Sequence, residues 1–223
     1  MGKKSKDFLI LILFYVNLVV YVGGDVYWRL SHHQPFWVAS TTNQLSNYDS
    51  LIQKYSQRHG LDWRFVSSMI KNESSFQNDA ISSAGAIGLM QILPAVAKME
   101  GVTDMTDPEE NIRAGVKHFK RYFGILKGET LEDTLKINLA AYNAGIAHIN
   151  DAKKLALYLN MNPRQWKSLE ITLPLLETEE FQPFINHGYC QGNSVVSYVK
   201  KVFKTYQNYR IAHPDFPLET TEL

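Results

Sequence analysis

An all-α fold is predicted for this chain by three features of its sequence. Apolar residues recur at helical spacing through most of residues 45–212, and strand-like alternation is nearly absent. Cap residues and prolines fall where helices would start and stop. Hydrophobic residues make up 45% and charged residues 20% of the 223, which suits a packed core and rules out wholesale disorder.

From the N-terminus, Lys3, Lys4 and Lys6 precede a run, Phe8 to Val22, that is apolar apart from Asn17. A basic end followed by an apolar stretch is the pattern of a membrane-insertion segment, with the chain beyond it carried outward. As a helix the run spans about 22 Å, short of a hydrocarbon core of roughly 30 Å. That length suits a signal cleaved after Gly24, whereas Tyr21, Tyr27 and Trp28 suit an interfacial belt that keeps the segment as an anchor. Residues 1–24 are therefore expected to be a signal peptide or membrane anchor, and 25–46, polar and aromatic with Pro35, a linker. The chain beyond the segment is expected to be translocated, either anchored by that segment or exported.

The helical domain is expected over 47–212, with 213–223 as a tail. Tyr48, Leu51, Ile52 and Tyr55 share one face, and Gly60 suits a C-terminal cap. Asp62 caps a second helix whose stripe is Val66, Met69 and Ile70. Asp107-Pro108-Glu109-Glu110 combines a cap, a first-position proline and first-turn acids, ahead of Ile112, Val116, Phe119 and Phe123. Thr130 with Asp133 starts a helix running to Gly145. Ile149, Ala152, Ala156 and Leu159 mark the next. Residues 169–176 are ambiguous, with Pro174 arguing against a strand. Val195, Tyr198, Val199, Val202, Phe203 and Tyr206 form the face of a last long helix.

Composition excludes several functions. A net charge of +1 gives no electrostatic footprint for nucleic acid. The single cysteine, Cys190, excludes an intramolecular disulfide framework and a cysteine-cluster zinc site. None of the seven histidines sits at a metal-ligand spacing, so they are assigned to surface or packing, and no cofactor or metal is implied. Lys117, Lys120 and Arg121 are taken as a solvated basic face.

One carboxylate breaks the surface pattern. After Val66, Met69 and Ile70 the next position on the apolar stripe is Glu73, which turns that side chain toward the core. Burial raises a carboxyl pKa, and an acid still protonated near neutrality can protonate a leaving oxygen. The competing structural reading is a glutamate satisfied by arginine or backbone N–H groups, or one facing solvent at the helix end. Around it come small residues and glycines, Ser82-Ser83-Ala84-Gly85 and Gly88-Leu89-Met90-Gln91, that let backbone approach a ligand closely. Ala140 to Gly145 then brings Tyr142 and Asn143 together at a helix end. Aromatic faces and amides suit a sugar chain.

Glu73-Ser74, Gly88-Leu89-Met90-Gln91 and Ala141-Tyr142-Asn143-Ala144-Gly145, in that order and spacing, resemble the signature of the lytic transglycosylases related to goose-type lysozyme. The likeness continues through Asp151-Ala152, Pro163 with Trp166, Leu173 to Leu176 and His187-Gly188-Tyr189 to Tyr198-Val199, covering about 47–210. This longer pattern is similar to the catalytic module of the membrane-bound F-type members. In that type the module follows a solute-binding-like domain; here the N-terminal segment alone is expected ahead of it.

The resemblance implies a compact lysozyme-like helical domain that acts on peptidoglycan glycan strands. With the N-terminal segment it implies the cell envelope as the location, anchored on the periplasmic face of the inner membrane or exported to the periplasm. The implied reaction breaks the β-1,4 bond between N-acetylmuramic acid and N-acetylglucosamine and leaves a 1,6-anhydromuramoyl end. Glu73 would be acid and then base, with Tyr142 beside it as the hydroxyl that orients it. Ser82 and Gln91 match substrate-binding positions, and Met90 and Leu93 match the apolar wall. Asn143 either fixes backbone or touches substrate, and Tyr189 either stacks on a sugar or packs. Ser194, where an acid is common, and Gln191, where arginine is, depart from the family pattern at the outer contacts. Two other functions fit the same chain: a lysozyme-like hydrolase, for which Asp79 is the nearby second acid, and a non-catalytic peptidoglycan-binding scaffold. Protein partners are not legible in the sequence.

Overall fold

In a computed structural model of the chain, residues 44–214 are described. The expected membrane segment at 1–24, most of the linker and nearly all of the tail lie outside them. No helix among the described residues is long and apolar enough to cross a membrane.

The described residues build eight α-helices: α1 (Asp49–Arg58), α2 (Trp63–Ser74), α3 (Pro94–Glu100), α4 (Pro108–Arg121), α5 (Leu131–Ala144), α6 (Ile146–Tyr158), α7 (Trp166–Leu175) and α8 (Gly192–Ala212). Short 3₁₀ turns sit at Tyr122–Gly124 and Glu179–Phe184. The only strand-like pairings among these residues are isolated antiparallel bridges, Ile81 to Ile87 and Ile87 to Ile92, which fold the loop between α2 and α3 back on itself twice.

α2 is the central element. Residues 63–70 are all buried, so it is enclosed on every side rather than half-solvated. Asp62 caps it by accepting from the Arg64 N–H at 2.9 Å. The same carboxylate takes the Arg64 guanidinium at 2.7 Å and the Tyr206 hydroxyl at 2.9 Å, while Arg64 donates to the His213 carbonyl at 2.6 Å. These bonds fasten the start of α2 to the end of α8, which packs along it.

The other starts follow their sequence signals. The Asp107 side chain accepts from the Glu110 N–H, and Thr130 with Asp133 forms a full capping box on α5. α7 corrects the ambiguous stretch: it is helical, with Pro174 in its last turn. α8 begins hard against α7, since a Cβ on Gly192 would lie 1.9 Å from the Leu173 carbonyl oxygen.

The basic face on α4 is not simply solvated. Glu100 is buried at the end of α3, and Lys117 and Arg121 reach it at 2.8 and 2.5 Å. Burial alone would raise the Glu100 carboxyl, but the hydrogen bonds from Lys117 and Arg121 hold it below its ordinary value. Two of the three cations therefore pin α3 to α4. Asp151, buried on α6, likewise holds the loop ahead of α8 through Asn186 N–H at 3.0 Å and His187 Nδ1 at 3.1 Å.

Candidate active site

α2 ends abruptly. Ser75 and Phe76 take left-handed backbone, with φ of 53° and 65°, so the chain turns away immediately after Glu73 and leaves that side chain at the helix end. Ser74 Oγ donates to the Leu89 carbonyl at 2.9 Å, which brings the 88–91 loop against the same helix end.

That loop is fixed at nearly every polar atom. Asn111, fully buried on α4, accepts from the Met90 N–H at 2.8 Å and donates to the Ile87 and Met105 carbonyls at 3.0 and 2.7 Å. The Tyr142 hydroxyl donates to the Met90 carbonyl at 2.7 Å. The Gln91 side-chain N–H group donates to Ala80 and Gly88 carbonyls at 3.0 and 2.9 Å, which orients its Oε1 and commits its nitrogen.

Between the α2 end and this loop lies a cavity of about 290 Å³. Its polar lining is Glu73, Ser82, Gln91, His118, Tyr142 and Asn143. Ile92, Leu93 and Val96 supply an apolar side. Ser82 Oγ accepts the Ala86 N–H at 3.0 Å, keeping a small hairpin at the rim. Asp79 is exposed and outside the lining, so Glu73 is its sole carboxylate among the described residues.

Burial pushes the Glu73 carboxyl up to about 7, against an opposing hydrogen bond from the Tyr198 hydroxyl on α8. Near neutral pH the group is thus divided between acid and carboxylate. Burial, and then the Glu73 charge, holds both Tyr142 and Tyr198 phenols well above their ordinary value, so both remain donors.

Several residues stand otherwise than expected. The hydroxyl that orients Glu73 belongs to Tyr198, not Tyr142; the Tyr142 hydroxyl is spent on Met90. Met90 does not line the cavity. It is fully buried beneath it, its sulfur lying where a Cβ on Gly115 would be 2.5 Å away, and its part is to present backbone. Tyr189 is 66% exposed and lines a neighbouring cavity of about 330 Å³ with His148, Gln191 and Ser194. Asn143 lines both cavities. His118, assigned to surface or packing, is in the wall of the cavity that Glu73 lines.

Tyr198→Phe removes the donor that, among the described residues, favours the Glu73 carboxylate. The alkaline limit of any Glu73-dependent reaction is then expected to move up by about one pH unit. A rate profile across pH 6–9 for both forms checks this, and an unmoved limit would detach Tyr198 from the titration of Glu73.

Comparison with known proteins places this geometry. Residues 50–162 match the transglycosylase SLT domain family. The chain is similar to membrane-bound lytic murein transglycosylase F of Desulfosudis oleivorans, 37% identical over 166 residues covering 73% of this chain and 36% of the relative. It is also similar to the protein of that name from Marinobacter nauticus, 33% identical over 199 residues, 88% of this chain and 38% of the relative. The chain therefore spans a little over a third of the length of these curated relatives. In fold it is similar to the lytic transglycosylase Slt of Pseudomonas aeruginosa, solved as an inactive mutant, with a TM-score of 0.56 and 18% identity over 89% of this chain and 30% of that one. The family match takes in Glu73, the 88–91 loop and the Tyr142 helix end. The chain belongs to the transglycosylase SLT domain family.

Proposed function

We propose that this chain is a peptidoglycan lytic transglycosylase that cuts the β-1,4 bond between N-acetylmuramic acid and N-acetylglucosamine, with Glu73 as acid and then base. The observation that carries the reading is a single carboxyl group at the wall of a cavity, raised to about 7 by burial, with no second carboxylate among the described lining residues.

A glycosidase that hydrolyses its substrate commonly needs two carboxylates, one to protonate the leaving oxygen and one to act on water or on carbon. Here one group must serve twice. Protonated Glu73 gives its proton to the glycosidic oxygen as the bond from muramoyl C1 to that oxygen breaks. The substrate's own N-acetyl oxygen stabilises the positive charge left at C1. The resulting Glu73 carboxylate takes the proton of the muramoyl C6 hydroxyl as that oxygen bonds to C1. The proton lost in the first step is regained in the second, and no water is consumed. Intramolecular placement of the N-acetyl and C6 groups supplies what a protein nucleophile would otherwise supply.

Other residues have supporting parts in this reading. Tyr198 holds one Glu73 oxygen and leaves the other for substrate. Tyr142 locks the Met90 carbonyl and hence the loop. Gln91 Oε1 and Ser82 face the sugar amide and hydroxyl groups, and Leu93 lies under an apolar sugar face. Asn143 and Tyr189 carry the strand onward into the neighbouring cavity. The names of the relatives and the basic, apolar N-terminal segment support action in the cell envelope, with that segment in the membrane.

The test is the mass of the products. Purified protein incubated with sacculi is expected to release muropeptides one water lighter than the hydrolysed equivalents. Hydrated reducing ends instead would make the chain a hydrolase, and binding without release would make it a scaffold.

A further inference from the structure

His118 has no part in the two proton transfers above, yet its ring is in the wall of the same cavity as Glu73, with its centroid 5.8 Å from that of Tyr142. Its Nε2 lies 3.3 Å from the Tyr122 hydroxyl, and its Nδ1 is buried without a hydrogen-bond partner. A bare lone pair tolerates such a position far better than an N–H does. The ring proton is therefore assigned to Nε2, which donates to Tyr122. Protonating the ring would add two penalties at once, a charge in a poorly solvated wall and an orphaned Nδ1 donor.

The charged and titratable groups around the ring do not offset this. Glu100 on α3 favours the imidazolium, but its carboxylate is already taken by Lys117 and Arg121. Arg121, on the same helix, opposes it. Tyr122 and Tyr142 are neutral phenols, and Glu73, across the cavity, is itself neutral in acid. Burial is the largest influence and keeps the imidazole below its ordinary value.

We propose that His118 is a positioning residue whose neutrality the reaction needs: an uncharged imidazole completes the wall beside Glu73, and its protonation in mild acid shuts down bond cleavage. This rests on the transglycosylase reading. Departure of the leaving sugar builds positive charge at muramoyl C1, and a cation in the same wall repels that charge. Across one small, poorly solvated cavity the repulsion lowers the rate about tenfold or more. Acid alone has the opposite effect on Glu73, because a larger share of it is then the competent proton donor. An acid limb in the rate therefore comes from another group, and His118 is the cavity-lining group that gains charge.

The experiment is muropeptide release from sacculi between pH 4.5 and 9, by the full chain and by His118→Gln, with the His118 ring of the unsubstituted protein titrated by NMR. The expected result is that release by the unsubstituted protein falls about tenfold or more as the ring takes up its proton in the acid range below about pH 6.5, with the same midpoint as the ring. The Gln variant, which keeps a polar neutral group near Tyr122, is expected to stay level across that range while still falling above about pH 7. An acid limb that persists in the variant overturns the role of His118 and leaves the transglycosylase reading standing. If the variant does not fold, a ring midpoint that differs from the acid-limb midpoint overturns it equally. Absence of release at every pH by the unsubstituted protein overturns the transglycosylase reading and this inference with it.

Discussion

Glu73→Gln is expected to lower muropeptide release about 10³-fold or more and, at pH 8, to raise the melting temperature. The loss follows from removing both proton transfers at once, since among the described residues no other carboxylate lines the cavity to take over. The gain follows from the titration of the same group. Its folded value, about 7, lies above the ordinary 4.5, so between those two values the native chain binds the extra proton. Stability is then lost as pH rises through the folded value, and the buried carboxylate carries its full penalty above it. Fully buried, such a shift amounts to roughly 3 kcal/mol; because Glu73 opens on a cavity, about 2 kcal/mol is the better expectation. Glutamine keeps an oxygen for the Tyr198 hydroxyl and has no charge to desolvate. The variant is therefore expected to melt about 4–8 °C higher than the unsubstituted protein at pH 8 and at nearly the same temperature at pH 4.5. Thermal melts at the two pH values, alongside release assays, check both halves. A variant that loses activity by unfolding would melt lower instead.

Gly88→Ala is expected to damage stability and site together, and its contrast with Gly85→Ala is the informative part. The two glycines have nearly the same backbone, φ of 83° and 79°. Strain from a left-handed alanine is therefore common to both, roughly 1 kcal/mol. Their surroundings differ. A Cβ at Gly85 meets nothing within 4 Å, whereas one at Gly88 would lie 2.2 Å from Asn111 Nδ2 and 2.5 Å from the Met105 carbonyl oxygen. The Met105 oxygen is backbone and Asn111 is fully buried, so neither can yield cheaply. Displacing Asn111 breaks its bonds to Met90, Ile87 and Met105, and with them the support of Gln91 and of the carbonyl that Tyr142 holds. The expected cost is about 4 kcal/mol for Gly88→Ala against about 1 for Gly85→Ala. Release by the former is expected to fall about 100-fold even below its melting temperature. Denaturant melts and release assays on the two variants check this; equal costs would mean that the 88–91 loop is not held by Asn111.

The helices whose ends carry chemistry were legible. Asp62, Asp107-Pro108 and the Thr130–Asp133 pair each announce a start, and the structure uses all three side chains as caps. α3 was not legible: Leu93 has no capping side chain, and seven residues are too few for a helical period to stand out. α7 was obscured by Pro174, which lacks the N–H that would bond back to the preceding turn and so reads as a break, although the helix runs through it to Leu175.

At the site, Glu73 was legible because a charge on an apolar stripe is a local anomaly, and the glycines of the following loop were legible as close-approach positions. Tyr198 was not. On the Val195–Val199–Val202 face of α8 a tyrosine looks like packing, and its hydroxyl meets a carboxylate 125 residues earlier in the chain. The mistaken pairing of Tyr142 with Glu73 has the same origin: both tyrosines reach the same place, and only tertiary structure decides which hydroxyl goes to Met90 and which to Glu73. His118 was hidden between Lys117 and Phe119, where helical periodicity gives no reason to separate a cavity wall from a surface.

The proposed reaction depends on a proton held by Glu73 at neutral pH. Its most direct measurement is the titration of that carboxyl carbon by ¹³C NMR in the folded chain, assigned by its loss in Glu73→Gln. A midpoint near 7 is predicted; a midpoint near 4.5, the value of an ordinary solvated glutamate, would contradict the account.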